Sequence, residues 1–172
     1  MKLWCLLVCI PFLNCSAQRK LNIETILTEP SRITQEDPET GRTIQRTTLN
    51  VVTDVLKPMI KLQSEENGEL TFLLQGNISS GGHSINKVRR IRLEKESQQG
   101  NSIKLKYNVE IKHIPGKEGA NVRGYNYSQQ ETYKIPKGVQ SVYVEMYEDR
   151  INKKADSKQP YLKLVAEQVV EL

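Results

Sequence analysis

The sequence predicts an all-β protein, and three observations carry that prediction. Apolar and polar residues alternate with a period of two in several segments, turn-forming residues separate these segments, and no window shows the apolar stripe of an amphipathic helix. About seven to nine short strands with one charged face are typical of two antiparallel sheets packed face to face. We therefore predict a single antiparallel β-sandwich of immunoglobulin-like type. A closed β-barrel is the alternative, which periodicity does not distinguish from a sandwich.

Residues 1–17 are predicted to be a secretory signal peptide and stand apart from the fold. Lys2 precedes a mostly apolar run, Leu3–Leu13, and small residues ending at Ala17 close the segment. The apolar run is shorter than the roughly 20 residues that a membrane-spanning helix needs. Cleavage after Ala17 leaves residues 18–172, in which no shift of composition marks a boundary, so we expect one domain.

The positions of the cysteines indicate the compartment. Cys5, Cys9 and Cys15 all lie in the predicted signal peptide, so the mature chain has no cysteine for a disulfide, a thiolate metal site or a nucleophile. Export without disulfides favours a bacterial periplasm or cell surface. The alternative to cleavage is a lipoprotein that carries its lipid on Cys15. Asn77 and Asn126 each begin an N-glycosylation triplet, which has meaning only in a eukaryotic host.

The strands are predicted from the alternation and the turns. The clearest strand has Ile103, Leu105, Tyr107, Val109 and Ile111 on one face and polar residues on the other. Shorter alternations predict further strands at Leu21–Leu27, Leu49–Val55, Leu70–Leu74, Val142–Met146 and Leu162–Ala166. Turns are predicted at Glu36–Gly41, Glu65–Gly68, Ser79–Gly82, Gln98–Asn101, Pro115–Gly119 and Pro136–Gly138. Pro58 is expected at a bulge or a sheet edge, because proline cannot donate to a sheet ladder.

A basic segment, 87–95, is the first candidate binding site. Strict alternation would place Arg89 on one face and Arg90 and Arg92 on the other, so charged side chains lie on both faces. This pattern predicts an edge strand, whose positive charges discourage aggregation with the edge of another sheet. A hairpin partner would add lysines to form a basic patch for an acidic polysaccharide or protein, and these lysines are Lys104, Lys106 and Lys112. The net charge of +5 is mild and evenly spread along the chain, so we expect no nucleic-acid partner.

Tyrosines provide the second candidate site, because six of the seven lie between Tyr125 and Tyr161. Tyr125 and Tyr127 share one face of a strand. Tyr143 and Tyr147 share the face opposite an apolar row, so they are predicted to point outward. Exposed tyrosines on a sheet can present a platform for a protein or a sugar ring.

No arrangement of residues predicts catalysis, a cofactor or a metal. His83 and His113 are the only histidines, they lack the spacing of a zinc site, and His83 lacks the strand–turn–helix setting of a nucleophile elbow. We therefore expect a protein that is not an enzyme, although pairing of strands could still bring distant carboxylates such as Glu110 and Glu145 together.

The sequence thus predicts a non-catalytic binding or assembly module of a bacterial envelope. It would engage a protein partner through a sheet face or an edge strand, and an inhibitor or immunity protein is one form of such a module. The alternative is a carbohydrate- or surface-polymer-binding protein that uses the exposed tyrosines and the basic strand. Contact with a membrane is expected only through a lipid on Cys15.

Overall fold

The computed structural model describes residues 20–79, 85–114, 121–151 and 161–172, which form nine β-strands and no helix. The strands are β1 (Asn22–Glu36), β2 (Thr43–Val51), β3 (Met59–Glu66), β4 (Glu69–Ser79), β5 (Ile85–Gln99), β6 (Ser102–Ile114), β7 (Val122–Lys134), β8 (Ser141–Ile151) and β9 (Tyr161–Glu171). The predicted signal peptide, with Cys15, and His83 lie outside the described residues.

The strands pair into two sheets, in the orders β2-β1-β7-β4-β3 and β5-β6-β8-β9. This confirms the all-β fold with two sheets and favours the sandwich over a closed barrel. Six of the seven strand pairs are antiparallel, but β6 and β8 run parallel. The cause is that β7, which lies between them in sequence, crosses to the other sheet, so the chain returns in its original direction. This order does not confirm the immunoglobulin-like type.

The core lies between the two sheets and follows the predicted alternation. Each of the five apolar residues of β6 from Ile103 to Ile111 is at most 2% exposed. On the opposite sheet, Leu70, Phe72 and Leu74 of β4 are equally buried. The Phe72 and Tyr107 rings meet edge to face across the core, with centroids 5.5 Å apart, in a geometry that aromatic pairs favour.

The central strand β7 is polar on its inward face, because it lies where the two sheets join. Gln129 Nε2 donates to the Ile91 carbonyl at 3.2 Å, and the Tyr133 hydroxyl donates to Glu96 at 2.7 Å. Ile91 and Glu96 belong to β5, so these bonds tie the first sheet to the edge of the second. Burial of a polar side chain is tolerated where such partners exist.

A two-stranded arm extends from the first sheet. The first part of β1, Asn22–Leu27, pairs with β7, whereas Thr28–Glu36 pairs only with β2. Ile33 and Leu49 on this arm are 47% and 55% exposed. The next hairpin, β3–β4, turns at Asn67 and Gly68, which both have positive φ, as the favoured Asn-Gly hairpin turn requires.

The connection 52–58 crosses the outer side of the first sheet, so the predicted strand Leu49–Val55 ends at Val51 instead. Asn126 holds this connection, because its side chain accepts from the Leu56 N–H at 3.0 Å and donates to the Asp54 carbonyl at 2.7 Å. Asn77 Nδ2 donates to the Leu56 carbonyl at 2.5 Å. These side chains satisfy backbone groups of the connection that would otherwise pair with a neighbouring strand. Pro58, expected at a bulge or a sheet edge, lies instead in the connection, directly before β3, which is an edge strand.

Candidate functional site

The outer face of the four-stranded sheet brings together two of the predicted binding groups. Residues in register on paired strands point to the same face. The rows across β5, β6 and β8 are Arg90–Glu110–Asp149, Arg92–Asn108–Tyr147, Lys95–Lys106–Glu145 and Ser97–Lys104–Tyr143. The arginines of β5 and the tyrosines of β8 therefore occupy one surface, separated by the width of β6.

Arg89, Arg90 and Arg92 converge on the carboxylate of Glu110, whose side chain is only 5% exposed. Arg90 contacts both carboxylate oxygens, with Nη2 at 2.9 Å from Oε1 and Nε at 2.8 Å from Oε2. Arg92 Nη1 contacts Oε1, and Arg89 Nε lies 4.0 Å from Oε2. The guanidinium groups around this buried carboxylate offset part of the cost of removing it from water.

The faces predicted for this basic strand are wrong in one respect. Val88 pairs with Ile111 and Arg90 pairs with Glu110, so Arg89 is the extra residue of a β-bulge. Val88 and Ile91 consequently both point into the core, at 2% and 6% exposure. The predicted position at a sheet edge is confirmed, because β5 ends the order of its sheet.

Glu145 is the centre of a second polar cluster on the same face. Lys104 Nζ donates to Oε1 at 2.7 Å, and the Tyr147 hydroxyl donates to Oε2 at 2.9 Å. The hydrogen bond from Lys104 lowers the pKa of Glu145, and the same bond raises the pKa of Lys104. Lys106 Nζ lies 4.4 Å from the centroid of the Tyr147 ring, within cation–π range. These contacts fix the Tyr147 ring in place.

A Glu145→Gln variant is expected to lose part of the acid dependence of stability. The lowered pKa of Glu145 means that its contribution is present above its ordinary value of 4.5 and is lost as the pH falls through the lowered value. The raised pKa of Lys104 means that its contribution is present below 10.5 and is lost as the pH rises through the raised value. Urea midpoints from roughly pH 3 to pH 7 measure the acid side.

The matched control for this measurement is Glu65→Gln, at the exposed end of β3. The control variant should follow the acid dependence of the wild type. Identical acid slopes for Glu145→Gln and the wild type would contradict the role given to the Lys104–Glu145 bond.

Exposed apolar side chains lie on β8 and β9, on either side of the in-register pair Glu145–Glu167. Tyr143 pairs with Val169 and Tyr147 pairs with Leu164, so these four side chains share the outer face, and we call them the β8–β9 patch. Tyr143, Leu164 and Val169 are 40%, 43% and 44% exposed. Neighbouring exposed apolar side chains, unlike scattered ones, are typical of interaction surfaces.

A groove of about 520 Å³ adjoins the patch. Its lining is of mixed polar and apolar character and consists of Ser97, Gln99, Ser102, Ile103, Lys104 and Tyr143. Tyr143 lines the groove from β8, and Ser97, Gln99 and Ser102 line it from β5 and β6. Such a groove can accept a side chain or a sugar unit that offers both an apolar side and hydrogen-bonding groups.

Tyr125 and Tyr127 share a face, as predicted, but that face points into the core. Tyr127 is 0% exposed, and Tyr125 is half-buried beside it. Gly76 lies opposite Tyr127 on β4, and a methyl group at Gly76 would overlap the Tyr127 hydroxyl. Burial raises the pKa of Tyr127. These two tyrosines therefore form no outward platform, because β7 is a central strand whose inner face is covered by the second sheet.

The carboxylates considered for catalysis do not meet. Glu110 lies opposite Asp149, and Glu145 lies opposite Lys106. Among the described residues, no group of three His, Cys, Asp or Glu side chains is arranged to hold a metal ion. Within the same ranges, no helix is long and apolar enough to cross a membrane.

Comparison of the chain with protein families, curated proteins and solved structures finds no match.

Sequence reasoning missed Leu164 and Val169. Leu164 belongs to the predicted strand Leu162–Ala166, but a bulge between β8 and β9 moves Val165 toward the core and turns Leu164 outward. Val169 lies beyond that predicted strand, and its outward position follows from its pairing with Tyr143. Sequence reasoning also missed Asn108, which is 0% exposed on the outer side of β6. The polar character of Asn108 predicted exposure, and only the pairing of β6 with strands on both sides shows otherwise.

Proposed function

We propose that this domain is an exported, non-catalytic binding module that holds a protein partner on the outer face of its four-stranded sheet. The observation that carries the proposal is the β8–β9 patch, in which the in-register pairs Tyr143–Val169 and Tyr147–Leu164 lie on either side of Glu145, with Tyr143, Leu164 and Val169 at 40% to 44% exposure. Covering each of them contributes on the order of 1 kcal/mol to association. Aromatic and aliphatic anchors at the centre of an interface commonly dominate its affinity.

Three neighbouring features make a protein partner the preferred class. Among the described strands, β9 ends the order of its sheet, so we expect its outer backbone groups to be available to a strand of a partner. The groove beside Tyr143 provides a place for one partner side chain next to the patch. Glu145, which pairs with Lys104 at 2.7 Å, lies between the two apolar pairs of the patch and supplies polar contacts of the kind that interfaces usually include.

The proposed setting is a bacterial periplasm or cell surface. It is supported by the predicted signal peptide and by the absence of cysteine from residues 18–172. A lipid on Cys15 is the alternative form of export and would hold the same domain at a membrane. An inhibitor or immunity protein is one kind of module that needs only an interaction face.

One observation favours carbohydrate binding as a second candidate. The groove places the Tyr143 ring beside Ser97, Gln99 and Ser102. A ring face with hydroxyl and amide groups around it suits a sugar unit. Binding of neutral oligosaccharides that is lost on Tyr143→Ala, without capture of any protein, would favour this candidate over a protein partner.

A variant with Tyr143→Asp and Val169→Asp is expected to lose the partner without unfolding. Both side chains are exposed, so the substitution places charge in the patch and leaves the core intact. The tagged mature domain is used to capture proteins from the envelope of its own host at low and high salt. We expect one stoichiometric protein that survives high salt, with about tenfold or more weaker capture by the variant.

The control variant carries the same substitutions on the arm, Ile33→Asp and Leu49→Asp, where exposure is 47% and 55%. It should capture the partner as well as the wild type does. Circular dichroism and the thermal midpoint verify that all variants are folded. Equal loss from both variants, loss from neither, or no captured protein at either salt would contradict the proposal.

A further inference from the structure

The outer face of the β5–β6 hairpin concentrates positive charge. Lys87 lies directly opposite Lys112, and Lys95 lies directly opposite Lys106. Like charges in register destabilise a strand pair, so neither pair is explained by the stability of the sheet. The three arginines of β5 lie between these two lysine pairs, and Lys104 lies next to Lys106 on the same face of β6. We call this set of residues the basic hairpin face: Lys87, Arg89, Arg90, Arg92, Lys95, Lys104, Lys106 and Lys112.

The charge of the chain is therefore not evenly spread, contrary to the expectation from sequence. Residues 87–95 alone hold five cationic side chains and one acidic side chain, against a net charge of +5 for the whole chain. Strand pairing then adds three lysines of β6 to the same surface. The remainder of the protein is close to neutral, so the local field is much stronger than the net charge suggests.

Glu110 neutralises only part of this face. One carboxylate has about four lone-pair positions, whereas each guanidinium has five N–H donors. The Arg89 and Arg90 side chains are 56% and 55% exposed while they contact Glu110, so donors remain directed to solvent. The buried carboxylate also holds these guanidinium groups at the surface in a fixed arrangement, which lowers the entropy cost of binding a second anion.

We propose that the basic hairpin face binds an anionic polysaccharide chain through its repeated carboxylate or sulfate groups. The cations follow an edge strand and are not gathered in a pocket, and Lys87 to Lys95 spans about 26 Å, a length that fits several units of a linear polymer. Segment 87–95 has no aromatic side chain for stacking bases, which disfavours single-stranded nucleic acid. This inference is tested at Arg89, Lys95 and Lys112, which belong neither to the β8–β9 patch nor to the Lys104–Glu145 pair, so it does not depend on the protein partner proposed there.

Binding to defined polymers tests this inference without knowledge of the natural ligand. The probes are polygalacturonate and dextran sulfate, with neutral dextran and a short DNA duplex as comparisons. The test variant carries Arg89→Gln, Lys95→Gln and Lys112→Gln. The matched control carries Lys57→Gln, Lys61→Gln and Lys137→Gln, which remove the same charge from exposed positions elsewhere.

The wild type is expected to bind at least one of the anionic polymers at low salt, to bind it less tightly as salt rises, and to leave neutral dextran unbound. The test variant should bind about tenfold or more weakly, whereas the control should stay within about threefold of the wild type. Equal losses in both variants would overturn the inference, because binding would then follow net charge alone. Absence of binding to both anionic polymers, or tighter binding to DNA, would also overturn it.

Discussion

A Gly124→Ala variant is expected to lose about 3 kcal/mol or more of unfolding free energy. Gly124 lies in β7, between β1 and β4, where a Cβ atom would overlap the Ile78 carbonyl oxygen and lie 3.0 Å from the Ile78 carbonyl carbon and from Ser79 Cα. These are backbone atoms, so no side-chain rotation relieves the overlap, and β4 and β7 must separate. Urea unfolding followed by circular dichroism measures the loss.

Ser128→Ala in the same strand is the control, because Ser128 is partly exposed. We expect its unfolding free energy to stay within about 0.5 kcal/mol of the wild type. A Gly124→Ala variant as stable as this control would show that β4 and β7 do not approach as closely at Gly124 as described.

Replacing Asn126 by alanine is expected to cost about 2 to 3 kcal/mol. The side chain is 2% exposed and bonds to the Leu56 N–H and the Asp54 carbonyl of the connection 52–58. Its removal leaves both backbone groups without that partner, and the connection loses two of its bonds to the first sheet. The midpoint of urea unfolding and proteolysis within residues 52–58 report the two consequences.

The matched control is Asn50→Ala, because Asn50 is exposed on β2, and its effect should be within about 0.5 kcal/mol. Equal effects of Asn126→Ala and Asn50→Ala would contradict the attachment.

The same geometry bears on the glycosylation triplets. The amide groups of Asn77 and Asn126 are occupied by backbone groups of the connection, so neither is presented for modification in the folded domain.

The parts of the fold that the sequence predicts best are strands with one face in the core. In β6 and β8 the alternation identifies the inward residues, and Val142, Val144 and Met146 are each at most 1% exposed. Burial on one face imposes a period of two on the sequence, and this local signal needs no knowledge of the neighbouring strands.

The sequence predicts least where long-range pairing decides the structure. The strand β7 lies at the junction of the sheets, where Gln129 and Tyr133 bond to β5. Polar side chains therefore replace aliphatic ones on its inward face. The arm formed by β2 and Thr28–Glu36 has polar residues on both faces and buries little. Neither segment carries the alternation that marks a half-buried strand.

The candidate face is predictable only in part for the same reason. The outward position of Tyr143 follows from the pattern of β8 alone. Its nearness to Val169 depends on the pairing of β8 with β9, and the convergence of the arginines on Glu110 depends on a bulge at Arg89. Sequence spacing contains neither the pairing nor the bulge.

The most direct test of the protein-binding face is hydrogen exchange of the captured complex, compared with the free domain. Amides of β8 and β9, Ser141–Ile151 and Tyr161–Glu171, should exchange more slowly when the partner is bound. The exposed arm, residues 28–51, should exchange at the same rate in both states. Protection confined to the arm, or to the outer side of the first sheet, would contradict the proposal that the partner lies on the four-stranded sheet.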